Sequence, residues 1–121
     1  MSSGAFYYGL NKITHLAFDT SASDTFTTAY VTGSTWTYTA GQTQISNSQY
    51  NNTATGLANI TTDDYGVHWV YLMNDSPSSL MVVYGQGDYA TLSLAREALE
   101  PTQNALLAGI ASLIGRIIIK Q

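Results

Sequence analysis

Along the chain, short stretches of alternating or continuous apolar residues are separated by clusters of Ser, Thr, Asn, Asp and Gly, the punctuation of strands and turns. Residues 28–32 and 35–39 flank Gly33-Ser34, a pair suited to a two-residue hairpin turn with positive φ at its first position. In the second arm Trp36 and Tyr38 share one face while Thr35, Thr37 and Thr39 share the other, the pattern of a strand with one wet side. Residues 67–72 and 80–84 are apolar on both faces and predict a central hairpin turned by Asn74-Asp75-Ser76-Pro77. Further strands are predicted at 12–18, 43–50, 55–60 and 89–94, with Asn51-Asn52-Thr53 separating the middle pair. Residues 5–10 are ambiguous. The helical signal is confined to 95–108, where Arg96-Glu97-Ala98-Leu99-Glu100 is stopped by Pro101.

The chain closes on Leu113-Ile114-Gly115-Arg116-Ile117-Ile118-Ile119, a strand pattern with apolar residues at both odd and even positions. Such a strand has no face suited to water and needs cover on two sides. A two-layer sandwich normally gives each strand one buried and one wet face, and no predicted helix is long enough to cover a second one. Another copy of the chain is therefore the expected cover. Strands of five to eight residues with turn chemistry between them predict an all-β fold, a β-sandwich or jelly roll. No repeat of fixed period points to a propeller or solenoid.

Composition agrees with the pattern. Charged residues are 10% of the 121, against about 25% in typical domains, while Thr, Ser, Asn and Gln together supply 41 residues. The polar surface is thus largely neutral. The length suits one domain, with residues 1–10 expected as a flexible or linking segment and 11–121 as the folded unit. Lys12 and Arg96 bracket 83 residues without a Lys or Arg, a gap that holds Asp19, Asp24, Asp63, Asp64, Asp75 and Asp88. That distribution argues against contact with nucleic acid, whose phosphates such a surface repels, and against an anionic membrane. No apolar run approaches a membrane span, so stable membrane insertion is not expected, and no signal peptide is recognisable at Met1. With no cysteine there is no disulfide or thiolate chemistry.

Residues that suggest chemistry are few. Gly85-Gln86-Gly87-Asp88-Tyr89-Ala90 satisfies G-x-G-x-x-A after an apolar strand, but the next residues alternate like a strand where a dinucleotide site needs a helix, so a turn is expected. His15 and His68 belong to no metal-ligand spacing, and His68, between Val67 and Trp69, reads as a packed histidine. No G-x-S-x-G elbow and no recognisable carboxylate pair is present. No enzymatic activity, cofactor or metal is expected. Asp63-Asp64 with Tyr65, and Tyr50, lie at loop edges and are the candidates for contacting a receptor or glycan. Trp36 and Trp69 suit stacking on sugars but sit mid-strand, where core or interface is the simpler use. Asn51-Asn52-Thr53 and Asn59-Ile60-Thr61 are glycosylation sequons by pattern. Arg116, set among isoleucines, is expected to be buried at a subunit boundary, paired with a carboxylate or holding a small anion between subunits.

Four blocks carry a resemblance: Tyr50-Asn51-Asn52; Tyr65-Gly66-Val67-His68-Trp69-Val70-Tyr71; Val83-Tyr84-Gly85-Gln86-Gly87-Asp88-Tyr89; and Leu113 through Ile119. Over residues 13–121 the chain resembles the C-terminal head domains of phage tail fibres and tail needles, and in particular the knob capping the trimeric tail needle of short-tailed phages of enteric bacteria. The resemblance implies a TNF/C1q-like jelly-roll sandwich of two antiparallel five-stranded sheets, trimeric, with residues 113–119 in the inner sheet near the three-fold axis. Trp69, Tyr71, Leu113, Ile117 and Ile119 would then line the trimer interface. It further implies a non-enzymatic virion component, assembled in the host cytoplasm and placed at the tail tip, where it attaches to or penetrates the host envelope and helps close the tail on its DNA. The alternative function is a lectin-like head recognising a bacterial surface glycan. A full needle carries a long coiled coil before its knob, and this chain has no heptads. The host component itself is not legible.

Overall fold

The computed structural model describes residues 2–8, 11–15, 17–74, 79–102 and 109–121. Nine strands and one short helix follow one another: β1 (Gly4–Tyr8), β2 (Asn11–His15), β3 (Phe26–Thr32), β4 (Thr35–Gln42), β5 (Gln49–Asn52), β6 (Gly56–Asn59), β7 (Tyr65–Met73), β8 (Leu80–Tyr84), α1 (Leu92–Arg96) and β9 (Ala111–Lys120). They form a five-stranded sheet in the order β4-β3-β8-β7-β9 and two two-stranded sheets, β1-β2 and β5-β6. The all-β class expected from the sequence is what the chain adopts. Its large sheet, however, is mixed: β3 and β8 run parallel, Thr27 against Met81 through Ala29 against Val83, where antiparallel sheets throughout were expected. Among the described residues no second five-stranded sheet faces the first. Residues 4–8, placed by the sequence in a linking segment, pair antiparallel with β2 from Gly4–His15 to Tyr8–Asn11.

The β3-β4 hairpin forms as its pattern dictates. Thr32 pairs with Thr35 across Gly33-Ser34, and Gly33 alone of the two turn residues has positive φ, at 61°. That combination suits a type II′ turn, whose twist matches the flanking strands. The Gly33 amide also donates to the Thr53 carbonyl at 2.6 Å, tying this turn to the β5-β6 turn. β7 and β8 pair antiparallel, Trp69 opposite Val83 and Leu72 opposite Leu80. The turn expected at 74–77 lies mostly outside the described residues.

Both faces of β7 and β8 are dry, as two-sided hydrophobicity requires. One face buries Ala29, Val67, Trp69, Tyr71, Met81 and Val83, with Ala95 of α1 packed on them. The other buries Phe26, Leu72, Leu80 and Val82, with Phe18 and Ile45 against them. The first cover comes from residues expected otherwise. Residues 89–94 were read as a strand; instead Tyr89 makes a single bridge to Tyr65 and a five-residue helix begins at Leu92, with the Thr91 side chain accepting from the Leu94 amide at 3.3 Å. Alternation in Leu92-Ser93-Leu94 was the misleading signal, and the N-cap threonine is what overrides it. The Tyr71 hydroxyl donates to the Glu100 carboxylate beyond this helix. Part of the expected helical stretch, 103–108, lies outside the described residues.

Candidate functional site

At one edge of the five-stranded sheet β9 pairs only with β7, from Tyr65–Lys120 to Met73–Ala111. A bulge between Val70 and Tyr71 leaves Ile114 as the extra residue, since Val70 opposes Gly115 and Tyr71 opposes Leu113. Among the described residues nothing pairs with the outer side of β9, and its apolar residues reach solvent: Leu113 is 43% exposed, Ile114 48% and Ile117 37%. Ile119 is half-buried. Ile117 also lines a groove of about 300 Å³ with Phe18, Phe26, Ile45, Val70 and Leu80. Ile117 thus belongs both to the edge strand and to the groove.

Two of the five residues expected at a subunit boundary do not belong to this surface. Trp69 is 7% exposed and Tyr71 is fully buried, both on the face that carries α1, so the chain's own fold encloses them. Leu113, Ile117 and Ile119 lie on the edge strand itself. Arg116, expected buried and ion-paired, is exposed. As the cross-strand partner of Trp69 it lays its guanidinium over the indole, 5.8 Å from the ring centroid. Within the single chain the guanidinium at this edge reaches water without leaving the strand, and the aromatic face supplies a cation–π contact worth about 0.5–1 kcal/mol.

The receptor candidates divide. Asp63, in a left-handed conformation with φ 72°, accepts from Lys120 Nζ at 3.0 Å; that hydrogen bond, followed by the carboxylate's charge, raises the Lys120 pKa above its ordinary value. The Asp63 amide donates to the Gln121 carbonyl and the Gln121 amide to the Asp64 carbonyl, at 3.1 and 3.0 Å. The Asp63-Asp64-Tyr65 segment is therefore a clasp on the end of β9, made by the Asp63 carboxylate and by the backbone of Asp63 and Asp64. Tyr50 is half-buried in β5, opposite Ala58.

Several structural roles were not visible in the sequence. Asn51, read as part of a turn and of a sequon, is 1% exposed within β5. Its side chain accepts from the Val31 amide at 2.9 Å and donates to the Val31 carbonyl at 2.7 Å, so the amide group substitutes for a neighbouring strand. Gly85 ends β8 where a Cβ would stand 2.0 Å from the Val67 carbonyl oxygen; its own amide donates to that oxygen and its carbonyl accepts from Asn51. The G-x-G-x-x-A stretch is thus a close backbone crossing, with Gly85 and Tyr89 amides already engaged, and has no free cradle for a pyrophosphate.

His68 is fully buried. Its Nε2 lies 2.9 Å from the Ser46 carbonyl, which can only accept, so Nε2 carries a proton. Its Nδ1 is buried without a partner. Burial lowers the His68 pKa, and the Ser46 bond opposes that only in part. Among the described residues no group of three or more His, Cys, Asp or Glu side chains is placed to hold a metal ion, and no helix is long and apolar enough to cross a membrane. No known protein family, curated protein or solved structure matches the chain.

Proposed function

We propose that this chain is a non-enzymatic, self-associating head: a homotrimeric knob at the distal end of a phage tail needle or fibre, serving attachment to or penetration of the host envelope and retention of DNA behind the closed tail. One observation carries the assembly half of this reading. A ten-residue edge strand exposes Leu113, Ile114 and Ile117 beside an apolar groove, and long apolar edges are what monomeric proteins avoid, because they template pairing with other chains. In a trimer, three copies of β9 turn toward a shared axis, and Ile114 and Ile117 leave water. The tail-tip placement rests on the four sequence blocks that resemble needle knobs.

The work of such a head is mechanical and adhesive. It requires a rigid scaffold and a closed oligomer rather than a reactive centre, and the buried Asn51 amide, spent on the Val31 backbone, serves such a scaffold. The functional half is tested by adsorption: enteric bacteria incubated with the purified chain before a short-tailed phage is added should adsorb that phage more slowly, in proportion to occupied sites. Unchanged adsorption at concentrations where the chain decorates the cells removes the attachment role.

A further inference from the structure

Residues 43–48 cross the face of the sheet that carries Phe26, Leu80 and Val82, and they do two things at once. Thr43 and Ile45 form one wall of the apolar groove. Ser46, next in the chain, is fastened to the sheet beneath: its carbonyl accepts from His68 Nε2 at 2.9 Å, and its hydroxyl is hydrogen-bonded to Tyr84, whose pKa burial nonetheless raises. Tyr84 packs edge-on against the imidazole, with ring centroids 4.8 Å apart at 79°. The groove wall is thus held down by a neutral histidine in a dry site.

We infer that residues 43–48 are a proton-released latch: protonation of His68 frees the Ser46 strap and opens the apolar groove beneath Ile45.

The reason is what surrounds the imidazole. Adding a proton places an N–H at Nδ1, a position buried without an acceptor, and creates a cation in a site with no counter-charge. From β8 the titratable neighbour is Tyr84, and behind it on β3 Tyr30 stands edge-on to Tyr84 at 6.4 Å. The strap residues 43–48 and the β9 partner Ile117 bear no titratable group, and the titratable residue of β5 is Tyr50. Arg116 lies on the opposite face, over Trp69. Nothing among the described residues compensates an imidazolium, so the cheapest way to hydrate it is to lift the segment above it. Protonation does not itself break the Ser46 bond, which favours the imidazolium, but burial outweighs that bond, and the bond is lost when the strap lifts to let water in.

The sign follows from linkage. The closed form holds His68 with a depressed pKa and the open form returns it to about 6.5, so closure is fully stable above that pH. Below it the open population rises about tenfold for each pH unit, until the closed-state pKa is reached. The inference does not depend on the phage reading.

The test uses the intact chain, following amide exchange of residues 43–48, corrected for its intrinsic pH dependence, together with fluorescence of a dye that binds apolar clefts, between pH 7.5 and 5. Wild type should show both signals rising together, while His68→Gln, which keeps an N–H donor but does not titrate, should stay flat. The same rise in His68→Gln overturns the latch. If that variant does not fold, the wild-type imidazole is titrated by NMR: a midpoint below about 6.5 that tracks strap exchange supports the latch, and an ordinary midpoint, or exchange indifferent to pH, overturns it.

Discussion

The five-stranded sheet has two edges, and they are made differently. At one, β4 alternates Thr with Trp36 and Tyr38, carries no charge and no run of exposed aliphatics, and is broken by a bulge opposite Phe26–Thr28. Thr side chains suit that edge to water, while a bulge, which works against pairing, is present in both edge strands. At the other, β9 runs for ten residues, presents Leu113, Ile114 and Ile117 to solvent, and has Arg116 as its only mid-strand charge. Both strands bond to one neighbour within the chain. What separates them is side-chain chemistry: β4 presents neutral polar residues to water, and β9 presents the aliphatic residues on which the proposed self-association rests.

That contrast can be broken by exchanging the chemistry. Replacing Ile114 and Ile117 together by Lys should abolish self-association, read as a fall in mass by light scattering, with little loss of folding because both sites are already wet in the single chain. The matched control, Thr37→Lys with Thr39→Lys on β4, should leave the mass unchanged. The next largest effect belongs to the framework both edges share. Asn51→Ala strands the Val31 amide and carbonyl in the interior and should cost about 2–4 kcal/mol in urea unfolding, since each orphaned buried group costs about 1–3 kcal/mol. Tyr71→Phe removes a hydrogen bond to the Glu100 carboxylate and should cost about 1–2 kcal/mol by the same measurement, without altering mass. Smallest is Asp63→Asn, which breaks an ion pair to Lys120 whose side chains are 81% and 52% exposed; surface pairs of this kind are worth little, so neither stability nor mass should move by a detectable amount.

The strands that carry this contrast were legible because their periodicity is unambiguous. Thr35 to Thr39 alternates, and 67–72, 80–84 and 113–119 carry apolar residues on both faces, so hairpin, centre and two-faced terminal strand all follow from pattern and turn chemistry. Pairing was another matter. Nothing in residues 27–29 or 81–83 announces that β3 runs parallel to β8, because register between distant segments depends on the whole core. The edge position of β9 was equally hidden: two-sided hydrophobicity says that a strand needs cover, and is silent on whether the second cover lies in the same chain. Arg116 shows the consequence: within the single chain its guanidinium lies exposed over Trp69, and the burial expected of it at a subunit boundary depends on that second cover. The groove was the least legible feature. Ile45 is a lone apolar residue in a polar stretch and Asn51 is polar but buried, so period-based reading passes over both.

The most direct test of the central claim is the absolute mass of the wild-type chain by light scattering on dilution to the lowest concentration that gives a signal. The account predicts a species of three times the 13.1 kDa chain that persists on dilution and is lost in the β9 double-lysine variant. A wild-type chain that stays soluble as a single 13.1 kDa species across that range, with its β9 edge in water, would contradict it.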